Sequence, residues 1–184
     1  MSGSSATTYG GGFGNVGNAY LINVTLSGNS AALGGALRAE TIARTILTNT
    51  IVAYSTSGGN CSGPVASSKY SIDSDGTCAL GGTGDMQGDP LLTALGNFGG
   101  ATLVHMPKTG SPAIDGVFGN DAPGKDQRGK NRPAPPRYDN GAVERQPNDS
   151  SLAPRLYLPN AAALARYPLT NLPPYSFVRV TSAI

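Results

Sequence analysis

The sequence predicts an all-β chain, a solenoid of short parallel strands ending in an irregular disulfide-pinned cap, and three observations predict it. The first is a repeat: Gly10-Gly-Gly-Phe13 returns as Gly34-Gly-Ala-Leu37, and Leu21-Ile-Asn-Val-Thr-Leu26 returns as Leu47-Thr-Asn-Thr-Ile-Val52, at offsets of 24 and 26 residues. The second is proline, absent before Pro64 and then crowded into the chain from Pro90 onward. The third is the pair Cys61 and Cys78, the only cysteines. One β-branched strand and one Gly-rich turn every roughly 20–30 residues marks stacked coils, because a single coil has too little apolar surface to bury alone.

Residues 1–57 read as the last coils. Glycine supplies turns that need positive φ, and the coil backbones pair in parallel. Ile22, Val24 and Leu26 alternate and are expected to face inward. In the second coil Ile46, Leu47, Ile51 and Val52 fall in adjacent pairs, so its faces stay unassigned. Asn23 and Asn49 occupy equivalent places; they either stack as a hydrogen-bonded ladder or stand as ordinary exposed residues. Two coils are recognisable, fewer than the about three that usually hold together alone. The first coil therefore exposes a strand edge, expected to be covered by upstream coils or by another protein subunit. The opening Met1-Ser-Gly-Ser-Ser-Ala-Thr-Thr-Tyr9 has neither a charged n-region nor an apolar h-region. Since the repeat begins almost at once, an upstream part is expected to be missing.

Residues 58–88 form the loop between the cysteines and its surroundings. Paired Cys61 and Cys78 fit an oxidising compartment, against the alternative of two free thiols. Closing such a loop stabilises by roughly 3 kcal/mol in the chain-entropy account. Residues 89–144 read as the cap, with Leu91, Leu92, Leu95 and Phe98 covering the open core of the last coil and prolines stopping further pairing. Asp115, Asp126 and Arg128 are expected to form a hydrogen-bonded polar cluster that fixes irregular loops, since an arginine fork suits carboxylates. Residues 145–184 are a Pro-rich tail with apolar pieces, Leu156-Tyr-Leu-Pro159 and Ser176 to Val180, expected to be an attachment or docking arm.

The two-cysteine loop is followed by Asp89-Pro-Leu-Leu92, Asn97 to Gly100, Gly110-Ser-Pro-Ala-Ile-Asp115, Asp126-Gln-Arg-Gly129 and Gly141-Ala-Val-Glu144. From about Gly10 to Glu144 this succession resembles the C-terminal module of bacterial secreted β-helix proteins of the "choice-of-anchor Q domain" type. The resemblance implies a right-handed parallel β-helix of pectate-lyase-like form on a secreted or cell-surface protein, with envelope anchoring supplied by variable C-terminal segments. It implies no known reaction.

The chemistry that other classes need is sparse. With 13 basic and 11 acidic residues scattered along 184, no Lys/Arg stripe exists for nucleic acid. No apolar run approaches the ~20 residues of a membrane span. Polysaccharide lyases and hydrolases need groove carboxylates, yet before Cys61 the charged residues are Glu40, Arg38 and Arg44. Asp73-Ser-Asp75-Gly76 resembles the opening of a calcium loop, but Cys78 and Gly84 stand where glycine and glutamate belong. His105 is the sole histidine, too isolated for zinc, and no Gly-x-Ser-x-Gly elbow accompanies it. Gly10-Gly-Gly-Phe-Gly14 lacks the lysine of a phosphate loop. Asn23, Asn60 and Asn148 begin glycosylation sequons.

No catalytic, cofactor or metal residue is therefore expected. The sequence points to a structural or adhesive end-domain that mediates attachment or assembly, with cell-envelope or extracellular polysaccharide as a partner. The rival expectations are the noncatalytic end of a polysaccharide-degrading enzyme and the subunit of an extracellular filament joined by strand stacking or donation.

Overall fold

The computed structural model describes residues 1–65, 67–119, 121–132 and 137–150, so residues 151–184 of the expected docking arm lie outside the described residues. Among the described residues the regular elements are strands, apart from one 3-10 turn at Pro147–Ser150. The chain lays β1 (Phe13–Asn15), β2 (Asn18–Ile22) and β3 (Thr25–Ser27), then repeats the series as β4 (Leu37–Ala39), β5 (Arg44–Thr48) and β6 (Ile51–Ala53). A third series follows as β7 (Cys61–Ser62), β8 (Ser67–Lys69) and β9 (Ile72–Asp73), with β10 (Met86–Gln87) after it. Three parallel sheets result, in the orders β1-β4-β7, β2-β5-β8 and β3-β6-β9-β10. Phe13 pairs with Leu37 and Leu21 with Leu47, the offsets of 24 and 26 residues seen in the repeat. β11 (Val117–Phe118) and β12 (Arg137–Tyr138) form a separate antiparallel pair.

The expectation of two repeats undercounts. Residues 61–73 make a third pass through all three sheets, pairing Leu37 with Cys61, Ile46 with Ser67 and Ile51 with Ile72. Its strands are two or three residues long and rich in serine, lysine and aspartate, so they carry no apolar alternation. Upstream, Ser2, Ser5 and Tyr9 bridge in parallel to Ser27, Ser30 and Leu33 and add part of a further pass.

Left-handed residues stacked in columns make the corners between sheets. Asn23, Asn49 and Tyr70, with φ of 52°, 52° and 47°, directly follow the aligned residues Ile22, Thr48 and Lys69. A non-glycine residue there costs about 1–2 kcal/mol, least for asparagine. The Asn49 amide offsets part of that by donating to Asn23 Oδ1 at 3.0 Å, which is the ladder form of the two alternatives. At another corner the passes approach so closely that a Cβ on Gly35 would lie 2.2 Å from the Ser57 carbonyl oxygen.

The corner also explains the faces. Leu21 is 7% exposed and points inward whereas Ile22 is 45% exposed, which corrects the inward assignment of Ile22, while the partly buried Val24 packs against the interior cluster to which Leu26 belongs. The left-handed Asn23 resets the two-residue alternation, so the inward phase passes from Leu21 to Val24 and Leu26. The interior core gathers Leu21, Leu26, Leu37, Leu47 and Val52 with Ala36 and Ala39. Cys61 and Cys78 are disulfide-bonded and belong to this same cluster at its downstream end. Asp73 is fully buried beside them; its carboxylate accepts the Asn60 amide and the Cys78 N–H, each at 2.7 Å.

The described residues between 89 and 149 do not cover the end of that core as expected. Leu92, Ala113 and Met86 pack against Ile51, Ala53 and Ile72, which face outward because Val52 between them faces inward. The segment is thus a flank laid along the outer face of the β3-β6-β9-β10 sheet. Phe98 joins a small separate cluster with Val104, Met106 and Val143, and Leu95 is 43% exposed. The core's last pass is finished instead by the disulfide with Val65 and Leu80.

Candidate functional site

Three features of the described residues carry chemistry: a buried ion network in the flank, a serine–histidine contact beside small cavities, and open strand edges.

The flank docks on the asparagine corner. Asn23 Nδ2 donates to the carbonyls of Asp139 and Gly141 at 3.1 and 3.2 Å, Gly141 N–H to the Asn49 carbonyl at 2.6 Å, and Asn140 Nδ2 to the Tyr70 carbonyl. Ala142 N–H reaches Thr25 Oγ1 at 3.0 Å. Behind this contact lie the charges. Arg128 Nε donates to Asp126 Oδ2 at 2.9 Å, with both side chains fully buried, and its other nitrogens reach Asp149 Oδ2 and the Glu144 carbonyl. Asp126 also accepts the N–H groups of Arg128, Lys130 and Glu144. Arg132 Nη1 lies 2.6 Å from Glu144 Oε2, again both buried.

Of the predicted cluster, Asp126 and Arg128 meet, whereas Asp115 is exposed and joins only through its backbone N–H, which donates to Asp139 Oδ1 at 2.8 Å. Arg132, Asp139 and Glu144 were not foreseen. The signal that marks them is a charged residue at each end of Asp139-Asn-Gly-Ala-Val-Glu144, where the intervening residues are small or apolar. Burial pushes the Glu144 carboxyl up to about 7 against the opposing Asp139 N–H and Arg132. It raises Asp139 and Asp73 in the same way. Among the described residues no cluster of His, Cys, Asp and Glu could hold a metal, and no helix is long and apolar enough to cross a membrane. Two of the three sequons are unsuited to modification in this fold, because Asn23 and Asn60 are buried and hydrogen-bonded; Asn148 is exposed.

His105 is not isolated in space. Its Nε2 lies 2.8 Å from Ser2 Oγ, across 103 residues of sequence, and its Nδ1 lies 2.8 Å from the Thr93 carbonyl oxygen. Both partners are held by backbone pairing: Met1 O accepts from Ser27 N–H and Gly3 N–H donates to Ser27 O, while Thr93 and Met106 are joined through backbone and side chain. A cavity of about 150 Å³ adjoins the pair, lined in part by Leu95, Leu103, Val104 and Gln127. A second, of about 270 Å³, shares Thr25 and Gln127 with it and extends toward Lys125 and Arg132.

At the upstream end, β1 and β2 are edge strands, paired on one side only. Gly17 O accepts from Arg44 N–H and Asn23 N–H donates to Thr48 O, so the odd-numbered residues of β2 bond β5. In a parallel ladder the alternate residues face the other way, which leaves the N–H and C=O of Asn18, Tyr20 and Ile22 directed outward. Comparison with protein-family models, with curated proteins and with solved structures finds no match to this chain.

Proposed function

We propose that the chain is the end unit of a right-handed parallel β-helix in a secreted or cell-surface protein of the choice-of-anchor Q type, and that it serves attachment or assembly. The observation that carries this is the open edge of β1 and β2; β7 and β8 are edge strands too, but at that end the disulfide, Val65 and Leu80 pack against the interior core. An edge row of unpaired backbone groups is a template for another strand. Three parallel sheets fed in turn by each pass support the helical winding, and a disulfide in the core suits an oxidising compartment. The partner at the edge is a further β-helical segment, of the same protein or of another subunit, and extracellular or envelope polysaccharide is the surface to which the assembly attaches.

A proline tests the edge without disturbing the fold. Tyr20 is 63% exposed and its N–H faces away from β5, so Tyr20→Pro removes no existing ladder bond and blocks an incoming strand. Electron microscopy and size measurement of the native material should show assemblies or envelope-bound particles that Tyr20→Pro disperses, with the β-sheet circular dichroism unchanged. Free monomers in the native material, or undiminished assembly by the variant, would contradict the reading. Filaments would identify the partner as another copy.

A further inference from the structure

The contact between Ser2 and His105 is chemically directional. The Thr93 carbonyl oxygen can only accept, so at 2.8 Å from Nδ1 it fixes the proton of the neutral imidazole on that nitrogen. Nε2 is then left with a lone pair, and Ser2 Oγ at 2.8 Å must donate to it. A hydroxyl hydrogen-bonded to a basic nitrogen, whose ring is oriented by a third group, is the arrangement that activates a nucleophile. The neighbouring cavity of about 150 Å³ has apolar walls from Leu95, Leu103 and Val104, sized for a short acyl group, and Gln127, whose backbone N–H donates to the Ala142 carbonyl, also lines it. Gln127 Nε2 spends one of its two hydrogens on Thr102 Oγ1.

We propose that Ser2 is a general-base-activated nucleophile that accepts the acyl group of small esters, with His105 as the base. Ser2 Oγ forms a bond to the ester carbonyl carbon while its proton passes to His105 Nε2. The carbon–oxygen bond to the leaving group breaks, and the imidazolium returns the proton to the departing alkoxide. Water, deprotonated by the same nitrogen, then attacks the acyl carbon; the bond from that carbon to Ser2 Oγ breaks, the imidazolium returns the proton to Oγ, and the acid leaves after the alcohol. A Gln127 N–H is the available oxyanion donor, in place of a pair of backbone N–H groups, so acylation is expected to be slow and the adduct long-lived.

The test uses a small alkyl fluorophosphonate on the folded, disulfide-intact protein, with the adduct located by peptide mass spectrometry. The expected result is a single adduct on Ser2, absent from Ser2→Ala and from urea-unfolded protein, and formed at least ~10²-fold more slowly by His105→Gln. An adduct spread over other residues, or a rate that His105→Gln or unfolding leaves unchanged, overturns the proposal. A second measurement needs no variant. Because the chain has one histidine, its ¹⁵N imidazole shifts report a single ring. The neutral ring should be protonated on Nδ1, and a proton on Nε2 instead would refute the assignment.

Discussion

Removing Arg128 tests what fastens the flank to the sheets. Its guanidinium is fully buried and holds Asp126 Oδ2 at 2.9 Å, Asp149 Oδ2 at 3.0 Å and the Glu144 carbonyl at 2.6 Å. Breaking a buried pair from one side typically costs about 3–5 kcal/mol, because the abandoned charge stays out of water. Here Asp126 keeps three backbone donors, so Arg128→Ala belongs at the lower end, about 3 kcal/mol. Asp126→Ala should cost more. It strands the N–H groups of Arg128 and Glu144, both buried residues, at about 1–3 kcal/mol each, and it leaves Arg128 with only Asp149 as a counter-ion. Urea unfolding of the two single variants and the double variant measures both costs and their coupling. If Arg128→Ala costs under about 1 kcal/mol, or if Asp126→Ala is the milder of the two, the network is hydrated and the reasoning fails.

The pH dependence follows from the raised carboxyls. Glu144 binds its proton more tightly when folded, so its favourable contribution is complete below about 4.5 and is lost as pH rises through about 7. Asp73 and Asp139 act in the same direction. Stability should therefore fall between mildly acid and neutral pH, with Glu144 supplying up to about 3 kcal/mol of the change. Glu144→Gln, a stand-in for the protonated carboxyl, should flatten the profile, match the parent near pH 4.5 and exceed its stability at pH 8, and an unaltered slope in thermal melts across that range would count against the assignment. Opening the disulfide should cost about 3 kcal/mol in the chain-entropy account, given its sequence separation of 17. Denaturation with and without reductant measures it, and equal midpoints would show that the third pass is held by its pairing alone.

The first two passes were legible because their strands are long enough to carry apolar residues at a fixed offset. Leu21 and Leu47, or Leu26 and Val52, repeat at 26 residues and share the interior. The third pass was hidden because its interior positions are filled by Cys61 and Asp73, one cross-linked and one hydrogen-bonded, instead of by aliphatic side chains. The flank was misplaced for a related reason. Leu92 reads in sequence as apolar cover for some surface, but which surface depends on Ile51 and Ala53 facing outward, and adjacent apolar pairs leave that undecided. The serine–histidine contact lies beyond local reading altogether. Only the parallel bridge from Ser2 to Ser27 and the fold-back of the flank bring residues 2 and 105 together.

The direction of the asparagine ladder narrows where a partner can add. Asn49 donates backward to Asn23, so in a continuing stack Asn23 would donate to a still earlier residue. Its amide is instead taken by the carbonyls of Asp139 and Gly141, and the outer edge of β3 is taken by Met1 and Gly3. The flank and the first residues thus occupy the upstream side of β3 and its corner, while β1 and β2 stay open. An incoming segment has room to extend two of the three sheets, and it must leave or displace the flank to extend the third. Because the flank is anchored by buried charges and Met1 and Gly3 already bond the edge of β3, strand addition at β1 and β2 alone is the less costly course.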